Sequence, residues 1–413
     1  MKIKALILAI FVPAILFADP YTINPALGFI ASVNDARARA MGRTELMSST
    51  GPNAMFANPA NLINVSYLSA QISGQEMSGT INDGDWTPVS SGFLKGSYPS
   101  NLNLSQIAFA MPFSAPNISN KAVAAIGYDT YLDWRLNFNS RFQDSTSGFG
   151  IFNENTTRGG LNTISIAGAL EFKDLYSLGF ALHKSINSKL KVDMAERYEV
   201  DADTNEYLLK VLTDYNASAL FAEIGVTAKL PADIDASLII RPRFTIKLKG
   251  QISWGFYPDH DIYEIESKIK MGDMYGLGLS KKFQNWITIA VEYQNRPYSV
   301  LYFYTDKQQI GQTNNGHCFR IGLETQTLIP VRLGYFIESV PIDGQNDKKA
   351  TPKSLSGITA GIGLITRYFC LDTYAEFSSW SYNHISYLYE PPVEYKRKES
   401  LTSFGATMTV QIP

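Results

Sequence analysis

Ser403-Phe-Gly-Ala-Thr-Met-Thr-Val-Gln-Ile412 alternates without a break. Phe404, Ala406, Met408, Val410 and Ile412 fall on one side; Ser403, Gly405, Thr407, Thr409 and Gln411 fall on the other. A period of two is the signature of a strand with one apolar and one polar face. The pattern recurs upstream. From Phe244 to Phe256, Ile246, Leu248, Ile252 and Trp254 oppose Lys247, Lys249, Gln251 and Ser253. From Trp286 to Gln294, Ile287, Ile289, Val291 and Tyr293 oppose Thr288, Glu292 and Gln294.

Fourteen such runs are placed between 64–75 and 401–412, among them 175–192, 216–240, 244–256, 262–283 and 356–367. Short links at Lys173-Asp174, Arg241-Pro242-Arg243, Gln284-Asn285 and Tyr368-Phe369 alternate with long polar ones at 76–102, 139–160, 193–215, 297–315, 339–355 and 383–400. Turns at one end and long loops at the other predict an all-β fold: a transmembrane antiparallel β-barrel of about 14 strands. The link 257–261 is short where a long loop is expected. Strands 216–240 and 262–283 are long, with bulges expected at Pro231 and at Gly272-Asp273, so the barrel should rise above the membrane. A secreted soluble sandwich would also alternate. Here, however, the polar faces carry charges and many glycines, among them Gly127, Gly179, Gly225, Gly322, Gly334 and Gly361, which leave room for something enclosed.

Lys2 and Lys4 followed by the uncharged run Ala5 to Phe17 predict a signal peptide over 1–18, too short for a spanning helix. The balance of 36 Lys+Arg against 38 Asp+Glu excludes the basic surplus of a nucleic-acid binder. Cys318 and Cys370 are expected as free thiols. His183, His260, His317 and His384 are too widely spaced for a metal site, and no catalytic or cofactor motif is present, so no enzyme, metal or cofactor is expected.

On the polar parity the lumen receives Glu171, Glu223, Glu292, Arg320, Glu324, Arg332, Glu338, Arg367, Asp372 and Glu376. Buried charges need partners. Residues 19–63 do not alternate and are expected to form a plug inside the barrel of 64–413. Arg37, Arg39 and Arg43 would meet the lumenal carboxylates, and a short helix capped near Ser49 would stop before Pro59.

Ala54-Met-Phe-Ala-Asn-Pro-Ala-Asn-Leu62, preceded by Arg39-Ala-Met-Gly42, resembles the hatch of the FadL/TodX outer-membrane transport family, with Phe56, Asn58, Pro59 and Ala60 at its centre. Ile329-Pro-Val-Arg-Leu-Gly-Tyr335 and Thr359-Ala-Gly-Ile-Gly363 are similar to that family as well. The resemblance implies a monomer in the bacterial outer membrane, in contact with its lipid, with periplasmic termini and extracellular long loops. It implies uptake of hydrophobic molecules such as long-chain fatty acids or hydrocarbons. PorV-like barrels that serve protein secretion or attachment share the Asn-Pro-Ala motif, and a general porin is a third reading. For the ligand groove the sequence offers Leu208, Val211, Leu212 and Tyr215 at helical spacing in the loop 193–215, faced by Phe149, Ile151 and Phe152.

Overall fold

The computed structural model describes residues 29–30, 35–83, 95–98, 103–115, 119–134, 136–143, 150–199, 207–256, 261–284, 286–297, 302–305, 308–310, 315–340, 353–386 and 393–413. The expected leader, 1–18, lies outside them. Fourteen strands close one antiparallel ring. They are β1 (Leu68–Asp83), β2 (Asn103–Ala115), β3 (Ser119–Asp133), β4 (Gly150–Phe172), β5 (Tyr176–Ser185), β6 (Leu220–Leu230), β7 (Ile234–Arg241), β8 (Met274–Phe283), β9 (Ile287–Arg296), β10 (Gly316–Thr325), β11 (Val331–Val340), β12 (Lys353–Ile365), β13 (Phe369–Ser386) and β14 (Val393–Ile412). Each pairs with the next, and β14 closes on β1 with Leu68 opposite Ile412.

The strand number holds, but one turn moves. Pro231 is no bulge: residues 231–233 form the turn between β6 and β7, with Ala232 and Asp233 at φ +66° and +56°. Lys173 and Asp174 do the same between β4 and β5, at +52° and +55°. Two successive left-handed residues match the twist of a two-strand ribbon, which is why such turns close hairpins. Arg241-Pro242-Arg243, expected as a turn, is instead a bend within one long rising strand, which continues as Phe244–Phe256. Phe256 and Asp261, the described residues on either side of the short link, therefore do lie at the long-loop end.

Three other strands bend at the same height. Ser188–Glu199 continues β5 past Ile186-Asn187, Tyr207–Ser218 precedes β6 across Ala219, and Asp261–Met271 precedes β8 across Gly272-Asp273. These four extensions pair side by side. Proline has no N–H for the ladder, so Pro242 interrupts pairing where the wall bends.

Between the turns and the bends the wall presents apolar side chains outward. Phe109, Ile126, Ile166, Phe180, Ile224, Leu277, Phe319, Leu333, Ile358 and Phe404 are 41–61% exposed and encircle the ring. An apolar belt of that extent is stable only against hydrocarbon. Above the bends the faces reverse. Lys247, Lys249, Lys268 and Lys270 point out, whereas Ile246, Leu248, Ile252 and Ile269 are buried inside. The expectation that every polar face encloses the lumen fails here. The residues spent at 242–243 and 272–273 shift the inward phase by one, from Arg241 to Phe244 and from Met271 to Met274.

The N-terminal segment lies inside the ring. It comprises α1 (Ala36–Ala40), α2 (Glu45–Ser48) and 3₁₀ turns at Pro52–Phe56 and Pro59–Asn64. The helix expected from Ser49 is a 3₁₀ turn entered through Gly51 at φ +71°. Ser49 does not cap it but donates to Asp35 Oδ2 at 3.1 Å. The lumenal glycines are seats for this segment: a Cβ on Gly334 would overlap Gly42, and one on Gly179 would overlap Pro59 and Ala60. A Cβ on Gly225 would overlap Asn58 Oδ1. Gly225→Val is therefore expected to unseat the Asn-Pro-Ala turn at a cost of about 1–3 kcal/mol. Limited proteolysis should cut this segment faster in the folded variant; a hatch as resistant as the wild type's would contradict the seating.

Candidate functional site

The inner N-terminal segment, which the sequence resemblance likens to a hatch, is held by ion pairs on one side. Arg37 grips Glu324 with two bonds, Nε to Oε2 at 2.8 Å and Nη2 to Oε1 at 2.6 Å. Glu324 also accepts from Arg332 Nε at 2.6 Å, and Arg332 Nη1 lies 2.7 Å from Asp372 Oδ1. Arg39 and Arg43 converge on Glu376 at 3.2 and 2.5 Å, and Arg43 reaches Glu338 at 3.1 Å. Arg296 holds the other oxygen of Glu338 at 2.6 Å. Arg320 pairs with Glu45 at 2.9 Å and lies 3.7 Å from Glu292. Bidentate guanidinium pairs suit such a site because one planar fork satisfies a whole carboxylate.

Backbone groups complete the fit. Gly42 N donates to Thr359 Oγ1 at 2.8 Å, and the same hydroxyl donates to Ala40 O at 2.8 Å. Met47 N donates to Glu292 Oε1 at 2.8 Å, and Asn53 N to Gln71 Oε1 at 2.9 Å. The other side of the hatch is apolar: Ala54, Met55, Phe56, Leu62 and Ile63 pack on Ala108, Val123 and Ala169.

The lattice holds one more carboxyl than it has guanidiniums. Asp35, Glu45, Glu292, Glu324, Glu338, Asp372 and Glu376 face Arg37, Arg39, Arg43, Arg296, Arg320 and Arg332. In the hatch, burial would raise Glu45, but Arg320 and the Gln294 amide hold it down at about 2. Asp35 goes the other way. Burial and the nearby Asp372 raise it to about 6, against the pull of Arg37, the Arg37 N–H and Ser49. The docked hatch thus binds a proton that the undocked one releases between the ordinary value of 3.8 and about 6. A raised carboxyl opposes docking as pH rises: the Asp35 contribution is best below 3.8, declines through this window, and is flat above it. Across the window the effect is about 3 kcal/mol at most. Asp35→Asn keeps an acceptor for Arg37 N and offers its amide N–H to the Ser49 hydroxyl, so its hatch stability should be flatter than the wild type's between pH 4 and 6.5 in a hydrogen-exchange or protease-protection series.

Above the hatch the lumen changes character. Tyr131, Leu132, Trp134, Leu161, Leu190, Val192, Val211, Tyr215, Phe221, Phe244, Ile246, Leu248, Ile252, Ile269 and Met271 form one buried apolar cluster. A ladder of rings joins it to the hatch. Phe56 lies 6.4 Å from His183, His183 stacks on Phe221 at 4.7 Å, and Phe221 stacks on Phe244 at 4.4 Å. At the junction Arg241 donates Nε to Glu223 Oε1 at 2.5 Å and Nη1 to the Tyr131 hydroxyl at 2.8 Å. His183 Nδ1 meets Ser165 Oγ at 2.7 Å.

Eight of the ten lumenal charges expected from parity are buried inside: Glu223, Glu292, Arg320, Glu324, Arg332, Glu338, Asp372 and Glu376. Glu171 lies at the short-turn rim, 3.4 Å from Lys229. Arg367 is not lumenal. It sits exposed in the turn 366–368 with its guanidinium over the Tyr368 ring, because alternation was carried past the end of β12. Arg241 and Arg296 were missed since both end a strand, where parity is weakest.

The groove expected at 205–215 is not a helix. Leu208, Val211, Leu212 and Tyr215 lie in the strand Tyr207–Ser218, where period two replaces period 3.6. Val211 and Tyr215 are buried in the apolar cluster; Leu212 is only half-buried, on the opposite parity; Leu208 pairs with Arg197 in the ladder. Ile151 and Phe152 belong to β4, opposite Phe142 and Arg141. Phe149 lies outside the described residues. Of the hatch motif, Asn58 caps its own turn by accepting from Ala60 N at 3.1 Å, Phe56 faces His183, and Pro59 and Ala60 rest on Gly179.

The fold is that of known outer-membrane channels. It superposes on a Pseudomonas aeruginosa FadL homologue with a TM-score of 0.66 at 10% identity, covering 93% of this chain and 99% of that one. The Pseudomonas putida toluene transporter TodX gives 0.59 at 11%, covering 92% and 98%. The Ralstonia pickettii toluene transporter TbuX gives 0.56 at 12%, with the same coverage. No family model and no curated protein matches by sequence.

Proposed function

We propose that the protein is a monomeric outer-membrane channel that takes up hydrophobic molecules, long-chain fatty acids or hydrocarbons. The observation that carries this is the buried apolar cluster directly above the hatch. A barrel that only passed polar solutes would gain from a wet, charged lumen throughout. Here the wall turns its lysines outward at the level of the cluster and its leucines and isoleucines inward, which suits a solute driven by loss of apolar surface to water. The similar folds include two proteins described as toluene transporters.

In this reading the short turns and both termini face the periplasm and the long loops face outward. A solute enters from the loop end, parts the packed side chains of Tyr131, Phe221, Phe244 and Leu248 to bind among them, and passes when the hatch yields on its apolar side. That side is the one to yield, because the other is tied by the ion pairs. The filled lumen disfavours a general porin. The test is mass spectrometry of apolar molecules extracted from folded, detergent-purified protein, followed by rebinding of a fatty acid and an aromatic hydrocarbon. Stoichiometric ligand supports transport and names the class. An empty barrel that rebinds neither, and co-purifies with a secreted protein, would favour the PorV-like role.

A further inference from the structure

Two polar atoms inside the apolar cluster have no partner. Trp134 and Tyr215 are no more than 1% exposed, and Trp134 Nε1 and Tyr215 Oη make no hydrogen bond among the described residues. The two side chains stand on one row of the wall. Trp134, just past β3, donates its backbone N to Gly159 O at 3.1 Å; Gly159 stands opposite Leu190, and Leu190 opposite Tyr215. Three strand steps separate them, about 14 Å of wall, and both belong to the same cluster. Ser267 Oγ, opposite Leu248 in the ladder, is likewise buried and without a partner among the described residues. A buried indole N–H or phenol O–H ordinarily finds an acceptor, and leaving one without is costly. Packing alone does not call for these atoms, since a phenylalanine ring would be apolar to its edge.

We propose that the cluster takes hydrophobic molecules bearing a neutral hydrogen-bond-accepting oxygen, a ketone or an ester, in preference to plain hydrocarbons. Trp134 Nε1 and Tyr215 Oη are the donors. The assignment rests on the reading, given under the proposed function, that the solute binds in this cluster. In the closed packing the two donors forgo a hydrogen bond. A ligand that parts the side chains and brings an oxygen supplies one. A hydrocarbon of the same shape gains the same apolar contact but leaves both donors orphaned. An ionised carboxylate fits less well. Arg241, whose guanidinium lies over the Tyr131 ring, is already tied to Glu223 and to the Tyr131 hydroxyl. An anion would therefore be buried without a cation of its own, which is expensive.

The test is equilibrium competition on the full-length protein in detergent, with concentrations taken as mole fractions in the micelle. A radiolabelled long-chain methyl ketone is displaced by itself unlabelled, by the alkane of equal chain length, or by the fatty-acid anion of that length. On the wild type the alkane should compete about tenfold less well than the ketone, or weaker still. In Trp134→Phe/Tyr215→Phe that ratio should fall to about one, with heat-modifiable mobility checking that the variant folds. Unliganded Tyr215→Phe should unfold no earlier than the wild type, because the hydroxyl it loses has no partner. Equal competition by ketone and alkane on the wild type, or a preference that survives in the double variant, would overturn the proposal. So would a fatty-acid anion that competes better than the ketone, or an early-unfolding Tyr215→Phe. If neither ketone nor alkane binds the folded wild type, the uptake reading itself fails and takes this one with it.

Discussion

Leu248→Asp is expected to give a folded barrel that neither retains nor passes a hydrophobic solute. Leu248 is fully buried in the apolar cluster, between Ile246 and Ile252 on the same inward row. Its strand lies above the bends, where the outward neighbours Lys247 and Lys249 already face polar surroundings, so the change places no charge against lipid. A buried leucine contributes about 1.5–3 kcal/mol of apolar contact, and a carboxylate in its place brings water with it. Ligand retention should fall about 100-fold or more, with uptake near background. Leu248→Met, which keeps the volume, should retain nearly all of it. Ligand held as tightly in the folded aspartate variant as in the wild type would show that solutes do not pass through this cluster.

The apolar cluster explains where sequence reading succeeded and where it failed. The outer wall was legible because lipid imposes one rule, and Phe404, Met408, Val410 and Ile412 obey it. The charged lumen was legible for the same reason: Arg332 and Asp372 occupy the parity opposite that belt. Arg37, Arg39 and Arg43 found carboxylates as expected, since a buried guanidinium has few other partners. The extension was not legible. From Ile240 through Phe244 to Ile252 the apolar residues keep even numbers, so the pattern reads as one face. The wall shifts phase at Pro242-Arg243, and the same parity moves from lipid to lumen. Alternation reports which residues share a face, not what that face meets. The segment 207–215 failed differently. Leu208, Leu212 and Tyr215 fit a helical stripe by spacing alone, but strands on both sides supply hydrogen-bond partners, and pairing outweighs local preference.

Arg332→Met should release the hatch. Arg332 is fully buried and lies between Glu324 and Asp372, so it links the carboxylate that holds Arg37 to the one that faces Asp35. Methionine fills much of the space but leaves Asp372 without its cation and Glu324 with Arg37 alone. Removing one partner of a buried pair costs about 3–5 kcal/mol, more than the pair itself is worth, because the remaining charge stays buried. The hatch can escape that cost only by admitting water. Planar-bilayer recordings should therefore show steady ion conductance in the variant where the wild type is closed, with the ring still assembled. Arg332→Met/Asp372→Leu removes both charges and should close the pore again in large part, since an apolar pair carries no desolvation penalty. If the single variant stays closed, the ion pairs orient the hatch without holding it, and the apolar contacts of Phe56 and Leu62 must carry that load instead.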